Sequence, residues 1–287
     1  MLNLGIIYAI IALFAWGCGD FLLERTTRKI GNVATLFWVC LFGLVSLTPF
    51  VWSELSQFGS SVKPHLVLLT LTASVLFAGS MFDLQALKIG KLSVMEPIYA
   101  LEIMFATGLG VVFVNELPTL SQGVWGAVMI TAIGLVSIPT FKRNWLKLER
   151  GVWFALASAV LMGVVNFLTG VSARATTAFF INWFNCVLVV LIFGVYFLFK
   201  GFPGGLKSSR AHWGLIVSTS AVDIIAWVAF AASTTFIYIG LATAISEAYI
   251  ALAALLGIIL NKEKLRKHQY VGIVLALIAA VALSYIH

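Results

Sequence analysis

Long apolar runs follow one another along this chain, separated by short connections that carry most of its charge. Hydropathy places the runs near 4–23, 32–52, 65–87, 92–114 and 120–140, then near 151–172, 177–199, 213–237, 241–260 and 269–286. A helix of about 20 apolar residues crosses the hydrocarbon core of a bilayer, so the pattern predicts ten spanning helices. The runs lack the residue-by-residue alternation of barrel strands, which excludes a transmembrane β-barrel. Turn-forming residues mark the joins: Pro49, Pro64, Pro118 and the stretch Gly201-Phe202-Pro203-Gly204-Gly205.

Composition strengthens this picture. Of 287 residues, 61% are apolar and 10% charged, and the mean hydropathy is +1.05. Soluble domains carry about 45–50% apolar and about 25% charged residues, so an ordinary cytosolic enzyme is excluded. Disorder is excluded by the opposite bias. The ten runs leave no segment for a soluble catalytic or nucleotide-binding domain, and the expected fold class is an all-α integral membrane protein.

A net charge of +7 would suggest nucleic acid in a soluble protein. In a membrane protein, basic residues mark the connections held in the cytoplasm, and no nucleic-acid partner is expected. All 18 Lys and Arg except Lys63 and Arg174 fall in the odd-numbered connections. The richest sets are Arg25/Arg28/Lys29, Lys142/Arg143/Lys147/Arg150 and Lys262/Lys264/Arg266/Lys267. This bias places both termini outside the cytoplasm of an inner-membrane protein. No basic segment or cleavage signal precedes Trp16, so the first run is expected to be retained as a helix. Cys18, Cys40 and Cys186 all lie in apolar runs and outline no disulfide framework.

The chain also repeats itself. The segment Ala15-Trp16-Gly17-Cys18-Gly19-Asp20-Phe21-Leu22 returns as Leu161-Met162-Gly163-Val164-Val165-Asn166-Phe167-Leu168, 146 positions later. Asn115-Glu116-Leu117 through Gln122 returns as Lys262-Glu263-Lys264 through Gln269, 147 positions later. The predicted units are residues 1–143 and 144–287. Each holds five spans, an odd number, so the second must insert upside down, and the charge bias of matching connections reverses accordingly. Inverted repeats belong to transporters that hold their solute near midplane, between the halves.

At these residues the chain resembles the drug/metabolite transporter superfamily, in particular its ten-helix EamA-type members. Trp16-Gly17 resembles the opening signature, and Met95-Glu96-Pro97 the recurrent proline of the fourth helix. Glu116 and Glu263, each followed by Gln six residues later and then by Gly126 or Gly272, resemble the helix 4–5 and 9–10 corners. The second half departs from the pattern with Ala248 in place of proline and Met162 in place of tryptophan. The resemblance covers the whole chain and implies secondary transport of a small metabolite, directed outward as in many relatives.

Polar residues within the runs are the candidates for chemistry. A carboxylate at a helix centre costs about 2.5–3.5 kcal/mol on insertion scales and therefore faces a cavity or a partner. Asp20, Asp83 and Glu96 lie near the cytoplasmic ends of the first, third and fourth runs, beside Arg25, Arg28, Lys88 and Lys91. They read either as a gate or as a structural ion-pair belt. Glu102, Asp223 and Glu247 lie deeper, where no Lys or Arg is expected. They read either as protonated, hydrogen-bonded packing groups or as the groups that attract a cation and exchange protons during transport. Trp16, Tyr99, Trp183, Trp227 and Tyr249 are buried in runs, where aromatic faces hold cations. Asn166, Asn182 and Asn185 offer neutral hydrogen bonds.

Other features have structural readings. Ala155/Ala159/Gly163 and Gly272/Ala276/Ala280/Ser284 are close-packing faces. Trp52, Trp145, Trp153 and Trp213 are interfacial anchors. The four His are scattered at termini and connections, so no metal site is expected. No Gly-rich phosphate loop is present, so no cofactor and no ATP drive are expected. The functional expectation is an alternating-access transporter, not an enzyme, for an amino acid or another amphipathic and cationic metabolite. A sugar or nucleotide-sugar carrier and an intramembrane enzyme are the alternatives. The expected partners are the solute, the lipid bilayer and protons, with the protein a monomer or weak homodimer. From the charge bias, a reporter active only in the periplasm and fused after His287 is expected to be active. A silent periplasmic fusion with an active cytoplasmic one reverses the topology.

Overall fold

The structure, a computed structural model, describes residues 4–57, 59, 62–115, 120–137, 149–201 and 208–285. Pro118, Glu116, Lys142, Arg143, Trp145, Lys147, Phe202 through Gly205 and His287 lie outside the described residues. Regular structure among the described residues is helical. In order come α1 (Leu4–Ile30), α2 (Asn32–Ser56), α3 (Lys63–Ile89), α4 (Leu92–Val114) and α5 (Leu120–Ser137). Then come α6 (Val152–Ala175), α7 (Ala178–Lys200), α8 (Ser209–Thr234), α9 (Ile239–Glu247 and Tyr249–Leu260) and α10 (Lys267–Tyr285). Seven of these, α1 to α4 and α6 to α8, are long and apolar enough to cross a membrane.

The first helix runs seven residues beyond its apolar stretch, to Ile30. Its polar end stays helical because it bonds to itself. The Thr26 hydroxyl donates to the Leu22 carbonyl at 2.8 Å, and Arg28 pairs with Glu24 one turn back at 2.7 Å. Gly31 then ends the helix at φ 84°, a backbone angle that side chains disfavour.

Helix α4 is interrupted at Ala100, and α9 at Ala248. Both points tighten into a three-residue turn, with Ile103 N–H donating to Ala100 C=O and Ala248 N–H to Ile245 C=O, each at 3.3 Å. In α4, Pro97 lacks the N–H that would continue the ladder. In α9, alanine stands where the resemblance leads one to expect proline, yet the interruption is there.

The two halves of the chain are interlaced. Helix α1 packs on α8, α2 on α7, α3 on α6 and α5 on α10. Polar contacts across this seam occur in pairs. Thr26 and Thr219 share a hydrogen bond of 2.8 Å, and Thr72 and Ser172 share one of 3.1 Å. Positions 26 and 172 are 146 apart and positions 72 and 219 are 147 apart, so one contact is made twice with the halves exchanged. Within each half, Arg28 donates to the Gly90 carbonyl at 2.6 Å, and Arg174, 146 positions later, to the carbonyls of Thr234 at 2.7 Å and Ile237 at 3.0 Å. Asn115 and Lys262, at φ 57° and 55°, are the non-glycine residues with left-handed backbone among the described residues.

Small residues bring α6 against its neighbours. Ala155 and Ala159 are fully buried. A Cβ at Gly163 would stand 2.5 Å from Phe105 Cβ and 2.9 Å from the Glu102 carbonyl oxygen of α4. Overpacking of this kind costs about 1–3 kcal/mol. Gly163→Ala is therefore expected to lower the thermal unfolding midpoint in detergent. Gly194→Ala, where nothing lies within 4 Å, is expected to leave it unchanged or raise it slightly. Equal midpoints for the two variants would contradict the close approach of α6 to α4.

Candidate functional site

Eight helices, α1 to α4 and α6 to α9, surround a cavity of ≈ 100 Å³. One water needs about 10–15 Å³ of such space, so the cavity admits a compact solute or several waters. Its walls carry Asp20 from α1, Asp83 from α3, Glu102 from α4, Asp223 from α8 and Glu247 from α9. Trp16, Tyr99, Trp227 and Tyr249 supply rings, and Asn166, Asn182 and Asn185 supply amides. Among the described residues, none that lines the cavity is Lys or Arg.

The interruptions in α4 and α9 set the geometry of the deepest part. They place Glu102 just after one break and Glu247 just before the other, facing Asn166 of α6. The Asn166 Nδ2 amide donates to Glu102 Oε2 at 3.1 Å and to Glu247 Oε1 at 3.4 Å. One amide from the second half thus bridges carboxyl groups from both halves. All three side chains are buried, at 8%, 1% and 2% exposure for Glu102, Asn166 and Glu247. Asp20, Asp83 and Asp223 line the same cavity from α1, α3 and α8. The Tyr249 phenol stands by Asp20 and that of Tyr99 by Asp83.

The aromatic wall is built around Trp16. Its ring meets Trp227 edge-on at 5.1 Å and tilts against Phe230 at 5.3 Å and Tyr249 at 5.8 Å. Trp183 is not part of it; its ring N–H donates to the Thr48 hydroxyl at 3.0 Å, away from the cavity. Asn182 anchors α7 to α8 by donating to the Trp227 carbonyl at 3.2 Å.

Several cavity-lining atoms have no protein partner. Asn166 Oδ1, Glu247 Oε2 and both amide atoms of Asn185 are buried without a hydrogen bond. Leaving such an atom unpaired costs about 1–3 kcal/mol, a cost removed by water or by a bound solute.

The structure departs from the sequence expectation in how the acids are grouped. Asp20 and Asp83 line the same cavity as Glu102, Asp223 and Glu247, instead of forming a separate layer at the cytoplasmic ends. Because α1 continues to Ile30, Asp20 lies ten residues, about 15 Å, from that helix end. Three of the four basic residues expected beside these acids pair elsewhere: Arg25 lies over the Phe21 ring at 4.1 Å, Arg28 pairs with Glu24, and Lys91 with Glu149 at 3.2 Å. Glu96 is fully buried behind the cavity, with both carboxyl oxygens unpartnered. Glu24 was missed by the hydropathy reading. It is 1% exposed and accepts from Asn261 Nδ2 at 2.5 Å, joining α1 to the end of α9. Its four-residue spacing from Arg28 was the available signal.

Near the same end, Glu263 accepts from the Leu92 N–H at 3.0 Å, from the Ser93 N–H at 2.9 Å and from the Ser93 hydroxyl. It thereby caps the start of α4, where an anionic group meets unpaired helix donors. The other corner glutamate, Glu116, lies outside the described residues.

The sequence model of the EamA-like transporter family matches residues 3–138 and again 149–285. No curated protein matches the chain. Among solved structures, one described only as a crystal structure of a protein shares the fold with a TM-score of 0.67 at 14% identity. The match covers 97% of this chain and 95% of the other.

The bridging amide has a measurable role in this geometry. Asn166→Ala removes the donor that Glu102 and Glu247 share and is expected to destabilise the protein by about 1–3 kcal/mol, the cost of leaving buried polar groups unpaired. A lowered unfolding midpoint in detergent checks this, and an unchanged midpoint would mean that neither carboxyl group depends on the bridge.

Proposed function

Since the chain belongs to the EamA-like transporter family, whose members are membrane transporters of the drug/metabolite type, we propose that it moves a small amphipathic cation by alternating access. The cavity is its transport site. One observation carries this reading: among the described residues, five carboxyl groups and four aromatic rings line one cavity with no Lys or Arg on its walls. A sugar-phosphate or nucleotide-sugar would need the opposite charge on those walls.

Electrostatics supplies the coupling. A carboxylate removed from water without an opposite charge is too costly to persist, so each group is neutralised by a proton or by the solute. Arrival of an ammonium or guanidinium group displaces a proton, and opening to the other side allows the reverse exchange. Glu102, Asp223 and Glu247 are the proposed coupling groups. Trp16, Tyr99, Trp227 and Tyr249 hold the organic part of the solute, with cation–π attraction at the Trp faces. Asn166 aligns the two glutamates. Asp20 and Asp83 belong to the same site, and Glu96 acts as a buried reserve of acidity behind it.

In this reading all ten helices span the inner membrane as two inverted units, 1–143 and 144–287, with both termini outside the cytoplasm. Support comes from the exchanged pairs Thr26–Thr219 and Thr72–Ser172, from Arg28 and Arg174, and from the left-handed corners at Asn115 and Lys262. Rocking between the interlaced halves changes the spacing of Glu102, from the first unit, relative to Asn166 and Glu247, from the second. Transport is directed outward, as in many relatives the chain resembles.

The neutral isosteres Glu102→Gln, Asp223→Asn and Glu247→Gln keep side-chain size while removing the exchangeable proton. In proteoliposomes, at least one is expected to abolish pH-dependent transport while the protein stays folded in detergent. If all three transport with wild-type rate and pH dependence, the carboxyl groups are structural and the cationic solute class loses its basis.

A further inference from the structure

The acids of the cavity fall into two sets on different helices. Glu102 and Glu247 meet at Asn166, on α4, α9 and α6. Asp20, Asp83 and Asp223 line the same cavity from α1, α3 and α8. A single positive charge does not neutralise five carboxyl groups. The cavity also holds unpartnered polar groups. At the first set, Asn166 Oδ1 and Glu247 Oε2 are buried acceptors without donors, on side chains 1% and 2% exposed. With Glu102 they present three acceptors, and an ammonium group carries three N–H donors. Asn185, 2% exposed, also lines the cavity with neither amide atom bonded. Much of the remaining cavity wall is apolar and aromatic, with Trp16, Val39, Leu84, Met162, Ile224 and Trp227 among its residues.

We infer that the cavity is a two-point site for a short organic dication, a terminal diamine or its bis-guanidinium counterpart, with one head at Glu102, Asn166 and Glu247 and the other at Asp20, Asp83 and Asp223. The connecting methylenes lie along the apolar wall. This deepens the transporter reading above and rests on it. A compact diamine satisfies both acidic sets in one binding event, gives each orphaned acceptor a donor, and loses no hydrogen-bonding group to the apolar wall. A zwitterion such as a simple amino acid would bring a carboxylate into a cavity with no basic side chain among its described lining residues.

The test compares n-alkylamines with terminal diamines of equal chain length, by calorimetry on the purified full-length protein in detergent. The diamine is expected to bind at least about tenfold more tightly than the matching monoamine. Diamine affinity should peak at one chain length, whereas monoamine affinity should rise steadily with length. Glu247→Gln and Asp223→Asn should each bring the diamine close to the wild-type monoamine value. Equal affinities of the wild-type protein for the two amines at every length would overturn the two-point site and leave the cationic transporter reading standing. Failure of either amine to bind, with a neutral solute binding instead, overturns both. The wild-type comparison needs no variant to fold.

Discussion

A carboxyl group inside a hydrocarbon slab has no water to hold its charge. It must find a proton, a donor or a cation, and the surrounding helices must be arranged to provide one. Five such groups in one cavity make this requirement the organising constraint of the molecule. It explains why an amide from α6 reaches two glutamates at once and why basic side chains are kept at the helix ends. The hydrophobic effect cannot hold helices together in lipid as it does in water, so close packing of small residues and buried polar contacts do more of that work. Gly163 against the Glu102 backbone and the paired hydroxyl contacts across the seam are the local instances.

The interruptions in α4 and α9 follow from the same logic. Unwound or tightened backbone is tolerated at membrane depth where it borders a cavity or is buried in protein. Here each interruption lies beside a cavity-lining acid. That the turn forms at Ala248 without proline indicates that the position in the fold selects it, with Pro97 reinforcing the corresponding turn in the first half.

Much of this architecture was legible in the residues. Apart from the end of α1, apolar runs marked the helices to within a few residues, because burial in lipid demands an uninterrupted apolar stretch. All eight residues favoured for a binding site, Trp16, Tyr99, Glu102, Asn166, Asp223, Trp227, Glu247 and Tyr249, line one cavity. An intramembrane polar residue has few places to go, so its type alone is informative. Grouping by depth was less legible. It required the true end of α1, and Glu24 through Arg28 looked like a connection while in fact continuing the helix through side-chain bonds. The same polarity hid Glu24, whose burial depends on Asn261 from a helix far away in sequence. Trp183 and Glu96 show the converse limit: position along a helix does not say which way a side chain faces.

The interlacing of the halves also bears on how the chain is made. Thr26 meets its partner Thr219 across 193 positions of sequence. At about 5–20 residues per second, a ribosome takes on the order of 10–40 s to add that much chain. Through that interval α1 sits in or near the membrane with Asp20, Glu24 and Thr26 lacking the surfaces that finally cover them. Nascent chains therefore pass through a stage in which half the protein is synthesised and its polar seam is open. Holding that seam away from lipid and from other nascent chains is a task for the insertion machinery, or for temporary pairing of α1 with α2 and α3.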